Sequence, residues 1–317
     1  MPPQVRGENA DEKSMLVATH ESVSDLSRLG DHAIDARIAQ CGRLPSLDSI
    51  NSALNKLLSN EDGYGTEVSD LIRRDPSLTA RLLRLVNSVY FGLPSAVERI
   101  DEAVLYLGVR QIRQLAMVTP VIADFQKLTG DTPFHWKEFW RHCVGTALIA
   151  SELTTSPEGE EDEVEYICGL VHDVGKIVMA SVFPDHFVEI HQRMTPHRSL
   201  IELETDILGI DHAELGARYL SNQQLPETIV QATRYHHSPH EAGDFARSAA
   251  AVALGDLCIR SSGLGFSGNL TPASPESWRE SSCWEQLGTD SAEEKHVLIS
   301  RTTERMGRVN GMLDCIL

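Results

Sequence analysis

The sequence predicts an all-α protein of two lobes, an N-terminal helical subdomain followed by a helical bundle. Three observations predict it. Apolar residues recur at threes and fours from Leu44 onward, alternation of period two is absent, and 317 residues exceed what one hydrophobic core usually organises.

Residues 1–41 begin polar and then space Val23, Leu26, Leu29, Ile34 and Ile38 as a weak amphipathic helix, a candidate connector. Residues 42–130 are read as the first lobe. Leu47, Ile50, Leu54, Leu57 and Leu58 form one stripe, and Val68, Leu71 and Ile72 another. Asp75-Pro76 is a helix start, because the Asp side chain accepts orphan amide hydrogens and proline at the first helical position loses nothing. Leu78, Leu82, Leu85 and Val89 then share a face. Asn87-Ser88 lies within this apolar stretch and is read as a pin for a neighbouring loop, since polar groups there need partners. Gly92 and Pro94 end the segment, and Glu102 to Leu107 is a short helix stopped by Gly108.

The second lobe is assigned to residues 131–262, with helices at about 136–154, 163–181, 198–208, 211–222, 226–236 and 244–262. The acidic run Glu158 to Glu165 is a solvated loop, because like charges repel and stay wet. Residues 263–317 are an irregular Gly-, Ser- and Pro-rich loop and then a helix, Lys295 to Leu313, that packs back on the body. Gly263, Gly265 and Gly268 match the glycine spacing of a dinucleotide fingerprint. They follow a helix rather than a strand, so that reading fails on context.

Composition narrows the function. A formal net charge of −18 repels a polyphosphate backbone, so nucleic acid is an unfavoured partner, and the cluster Arg73, Arg74, Arg81 and Arg84 reads as a solvated helix face. The six cysteines are scattered, without zinc-knuckle or redox spacing, and read as reduced apolar residues. Neither a signal peptide nor a run of about 18 uncharged apolar residues is present, so cytoplasmic residence without membrane insertion is expected.

The chemistry concentrates in histidines and aspartates. His142, His172, Asp173, His212, His236, His237 and Asp256 fall beside small or apolar neighbours on five predicted helices, the way helical bundles assemble metal centres. Neutral imidazole and carboxylate suit iron, manganese, nickel or zinc, and a buried Asp is costly without a compensating cation. Adjacent helical positions point about 100° apart, so one ion nested between His172 and Asp173 touches both. Lys176 offers an alternative as a salt-bridge partner of Asp173, or as a holder of phosphate. The expectation is one or two divalent ions, or none. His20, His32, His135, His186, His191, His197, His240 and His296 are read as surface residues.

The run Leu170-Val171-His172-Asp173-Val174-Gly175-Lys176 resembles the signature of the HD superfamily of metal-dependent phosphohydrolases. The order His, His-Asp, His, His-His, Asp is similar to the subgroup that hydrolyses cyclic di-GMP. That subgroup follows its paired histidines with Glu and a Gly-Tyr-Pro element, whereas residues 236–245 read His-His-Ser-Pro-His-Glu-Ala-Gly-Asp-Phe. Residues 75–88, Asp-Pro-Ser-Leu-Thr-Ala-Arg-Leu-Leu-Arg-Leu-Val-Asn-Ser, resemble the hallmark of HD-related output (HDOD) domains. Ala103 to Gly108, Phe139-Trp140-Arg141-His142 and Gly209 to Gly216 continue the likeness over roughly residues 43–260. The resemblance implies a regulatory output module of bacterial signalling, acting on a signalling protein or a small nucleotide messenger, in a family whose catalytic residues are often degraded. Here the full candidate ligand set is retained. The alternative is a phosphohydrolase, a phosphodiesterase of the HD superfamily acting on a nucleotide or cyclic dinucleotide, with Asp173 and Lys176 as its catalytic residues.

Overall fold

The computed structural model describes residues 26–40, 82–84, 86–87, 96–100, 102–103, 105–107, 134–155, 163–289 and 291–316. All regular structure among them is helical. The stripes from Leu47 to Ile72, the Asp75-Pro76 start, the Gly92/Pro94 stop, the arginines at 73, 74 and 81, Ser88, Gly108 and His20 lie outside the described residues.

Helices are numbered in chain order over the described residues. α1 (Asp31–Gln40) buries Ile34 and Ile38. α2 (Trp136–Thr154) is buried on almost every side from Phe139 to Leu153, as a helix with few charges all round must be. It forms the axis of the body. α3 (Glu163–Val171) and α9 (Ala246–Ser262) pack along it, the alanine run Ala249 to Ala253 letting α9 approach closely. α4 (Val174–Val182), α5 (Pro184–Gln192), α6 (Leu200–Ile207), α7 (His212–Asn222) and α8 (Glu227–Tyr235) surround that core. Two single 3-10 turns, Pro239–Glu241 and Gly243–Phe245, lead into α9. α10 (Cys283–Leu287) precedes α11 (Ala292–Ile316), which lies on α2 with Arg301 paired to Glu152.

Three segments differ from expectation, one being α10, a short helix inside the 263–290 stretch read as an irregular loop. The segment expected as one helix over 163–181 is two, because the chain turns at His172 and Asp173 between α3 and α4. α5 was not expected. Pro184 opens it, and Phe187 and Ile190 bury its inner face together with His186. His186 is thus buried, not a surface residue, and donates toward Ser27 O at 3.3 Å. His191 is likewise half-buried, its ring 4.1 Å from that of Phe187, whereas His32, His135, His197, His240 and His296 are exposed.

Asn87 does pin a loop: its Nδ2 donates to Val97 O at 2.8 Å and its Oδ1 accepts from Val97 N at 2.7 Å. Cys143, Cys168, Cys258 and Cys283 are buried free thiols. Among the described residues no single helix is long and apolar enough to cross a membrane.

Candidate metal centre

Four helix ends and two mid-helix positions aim their side chains at one enclosed spot. His142 lies on the buried face of α2 and Asp256 on that of α9. His172 and Asp173 occupy the turn between α3 and α4, so the doublet is not two successive helical positions; Asp173 flanks the first residue of α4. His212 is the first residue of α7, capped by Asp211, whose side chain accepts from Glu214 N. His236 and His237 follow α8. A close crossing sets the register of α4 on α7: a Cβ at Gly175 would lie 1.8 Å from the His212 carbonyl oxygen, so only glycine lets the two helices meet there.

The imidazoles are oriented from behind. His172 Nδ1 is 2.7 Å from Gly169 O and His236 Nδ1 is 2.7 Å from Thr233 O, so each donates from Nδ1 and keeps the Nε2 lone pair for the centre. His212 Nδ1 sits 2.6 Å from Glu204 Oε2. This second layer of acceptors fixes three tautomers in the form that suits a metal ligand.

Inside the spot, His142 Nε2 is 3.3 Å from His172 Nε2 and 3.2 Å from Asp256 Oδ1. Asp173 reaches both sides. Its Oδ2 is 3.4 Å from His172 Nε2 and 3.7 Å from His142 Nε2, while Oδ1 is 3.2 Å from His212 Nε2 and 3.9 Å from His236 Nε2. His212 Nε2 also lies 2.9 Å from His237 Nε2. Two donor trios therefore have ligand atoms close enough together for each to hold an ion, His142, His172 and Asp173 on one side and His212, His236 and His237 on the other. All are buried except His237, which reaches the surface.

Charge and solvation set these groups apart. Burial pushes His142 down, against the pull of Asp256, and burial with the neighbouring His172 takes His236 down to about 3, leaving its ring neutral at pH 7. His212 moves oppositely. Burial lowers it, but the Glu204 and Asp173 carboxylates outweigh that and raise it to about 9. Asp173 stays well below the usual carboxylate range despite burial, held there by His172 and Lys176. Asp173 Oδ1 and His236 Nε2 are nonetheless buried without a hydrogen-bond partner. Orphaned acceptors facing each other in a dry site fit a cation, which satisfies both at once.

Lys176 Nζ forms the salt bridge to Asp173 Oδ2 at 2.6 Å and donates to Ser267 O at 2.7 Å. The loop after α9 thus closes one wall. Gly265, with φ +74°, lies against α2, where a Cβ would fall 2.4 Å from His142 N, and Phe266 N donates to Glu138 O at 2.9 Å. Gly265 thus serves close packing, while Gly263, with open space around it and φ +68°, ends α9 as its left-handed cap. Sequence reasoning missed Glu204, Arg260 and the Ser267 carbonyl. Only Glu204 left a signal, a carboxylate on the apolar stripe Leu200, Leu203, Glu204, Ile207.

The family model of the HDOD domain matches residues 44–239. The chain belongs to the HDOD family. A Treponema pallidum (strain Nichols) protein of uncharacterised role is 28% identical over 225 residues, 68% of this chain; the chain spans only 42% of that relative's length. Among solved structures, an HDOD domain protein of unknown function from Geobacter sulfurreducens superposes with a TM-score of 0.68 at 25% identity, over 92% of this chain and 94% of that one. A protein from Shewanella amazonensis SB2B, provisionally named a phosphohydrolase, gives 0.66 at 23% identity over 90% and 98%. A Marinobacter aquaeolei VT8 protein, provisionally named for signal transduction, gives 0.65 at 20% identity over 93% and 68%. The HDOD fold of this chain is all-helical, as those likenesses and its own helices agree.

Proposed function

We propose that this HDOD chain is a bacterial signal-transduction output module whose His/Asp centre holds one or two divalent cations. His142, His172 and Asp173 hold one ion, with Asp256 beside them, and His212, His236 and His237 hold the second. Asp173 lies between the two. One observation carries the reading: buried Nε2 lone pairs and the orphaned Asp173 Oδ1 converge, with three rings already locked by Gly169, Thr233 and Glu204. A cation there ties α2, α4, α7 and the end of α8 together, and so fixes the surface offered to a signalling protein or a small nucleotide messenger.

The donor set also supports a second reading, a metal-dependent phosphohydrolase, since bound divalent ions supply Lewis-acid activation of water and of phosphoryl oxygen. Two observations rank it second. Lys176 is engaged by Asp173 and Ser267, and residues 238–245 form two 3-10 turns where a nucleotide-gripping element is lacking.

The test is elemental analysis of anaerobically purified full chain, with parallel assays on bis(p-nitrophenyl) phosphate and cyclic di-GMP. The module reading expects about one or two ions per chain, lost in His172→Ala, with no turnover above that variant. Metal-dependent turnover abolished in a folded Asp173→Ala protein moves the assignment to the hydrolase, and substoichiometric metal sinks both.

A further inference from the structure

A cleft lies beside the loop that closes the metal centre. It encloses about 270 Å³ between the α5–α6 connection, the C-terminal turn of α9 and residues 268–271. Its walls carry His197, Arg198, Ser199, Arg260, Asn269 and Thr271, and no carboxylate belongs to the lining among the described residues. In a chain of net charge −18 the charged side chains of this lining are nonetheless basic, with their acidic partners behind the wall. Arg198 pairs with Asp206 outside the cleft, and Arg260 Nη1 is 3.2 Å from Asp256 Oδ2. Arg260 Nε is buried and has no hydrogen-bond partner among the described residues, so part of this fork remains to be satisfied.

We infer that this cleft binds a small phosphate monoester. The guanidinium fork matches phosphate oxygens; Ser199, whose Oγ only accepts from Glu202 N, keeps its hydroxyl hydrogen to donate, Asn269 keeps the amide hydrogen not given to Ser267 Oγ, and Thr271, donating to Pro196 O, shapes the wall. The volume accommodates a phosphate bearing a few carbons and falls short of most drug-sized sites, at roughly 300–1,000 Å³. Two contacts connect the cleft to the metal centre, and in that respect the inference rests on the proposed function. Asp256 is shared, with Oδ2 on Arg260 and Oδ1 on His142, and Ser267, whose carbonyl receives Lys176, directly precedes the residue that starts the 268–271 wall. An anion that draws Arg260 away from Asp256 leaves that carboxylate more available to His142 and to a cation beside it. Binding at either place then alters affinity at the other, by the same factor in both directions.

The experiment titrates glycerol 3-phosphate into chelator-treated full chain by calorimetry, so that no metal contributes to binding. Saturable binding is expected that survives His172→Ala, weakens about tenfold or more in Arg260→Gln, and weakens less in Arg198→Gln, whose site is exposed and keeps folding intact. Absence of saturation in the chelated wild type overturns the site. So does binding that persists in Arg260→Gln and disappears in His172→Ala, because the anion then sits at the His/Asp centre. The link is read separately, as manganese affinity with and without saturating glycerol 3-phosphate. A change of about threefold or more is expected, and equal affinities remove the link while leaving the site.

Discussion

Glu204 Oε2 accepts from His212 twice, from the backbone N–H at 2.9 Å and from ring Nδ1 at 2.6 Å. One buried carboxylate thereby fixes both where α7 begins and which way its first side chain faces. Glu204→Gln keeps the size but loses the charge that holds the Nδ1 proton. Metal affinity should fall about 10–100-fold, the usual consequence of removing such a supporting partner. Competition with a chromogenic chelator measures it, and an unchanged constant would mean that His212 is not a ligand.

The same pair makes stability depend on pH in chelator-treated protein. His212 takes up its proton near pH 9 when folded against an ordinary 6.5. Its contribution is fully present below pH 6.5 and is lost as pH rises toward about 9. His236 has the opposite sign, because its folded value is about 3. Its neutral ring costs nothing above 6.5 and becomes a liability as pH falls toward about 3. The slopes meet near pH 6.5, where the melting temperature should peak in a scan from about pH 4 to 10. A melting temperature still climbing at the alkaline end contradicts the assignment.

Much of this architecture is legible in the sequence because its helices carry strong periodicity and ordinary punctuation. The 136–154 helix has the expected bounds, and the helices expected at 198–208 and 211–222 are found as α6 and α7, with Ser199 and Asp211 as their caps. What escapes is tertiary. The break at His172-Asp173 has no Gly or Pro at the turn itself, Gly169 and Gly175 lying on the helices to either side, and it accompanies the packing of α4 on α7 through Gly175. The Ser267 contact is made by a carbonyl, which every residue possesses. His142, His172, Asp173, His212, His236, His237 and Asp256 are recognisable as a set only through their apolar neighbours, and the shared position of Asp173 between two trios cannot be read from spacing.

Gly175 should tolerate no side chain. With His212 O at 1.8 Å and Gly216 N at 2.8 Å from the added carbon, Gly175→Ala forces α4 from α7 through backbone, not through a yielding side chain. Destabilisation of about 3 kcal/mol or more is expected, at the upper end for overpacking. Gly307→Ala is the contrast, since it lies within α11 with nothing inside 4 Å, and should be neutral or stabilising by up to about 1 kcal/mol. Urea denaturation of the two variants decides it, and similar midpoints would show that the crossing can relax.

Asn87 uses a donor and an acceptor on the same residue, Val97, so charge alone cannot replace it. Asn87→Asp keeps the oxygen that accepts from Val97 N but turns a second oxygen toward Val97 O. It should cost at least as much as Asn87→Ala, about 1 kcal/mol at this exposed position. A wild-type-like melting temperature for the Asp variant would show that only the accepted bond matters.

Lys176 and a metal ion are two answers to the same buried charge. In metal-free protein the ammonium at 2.6 Å is the nearest cation to Asp173, and both side chains are almost wholly enclosed. Lys176→Met removes it and leaves a carboxylate in a dry site, where breaking such a pair costs about 3–5 kcal/mol. Manganese between the donor trios supplies positive charge to Asp173 from the other side, so the loss should shrink when the ion is present. The variant is therefore expected to melt far below wild type in chelator and closer to it in saturating manganese. The difference between the two gaps isolates the electrostatic role from simple packing, because a methionine that merely fitted badly would lower both melting temperatures equally. Equal gaps would mean that no cation approaches Asp173, and the metal centre would have to be abandoned.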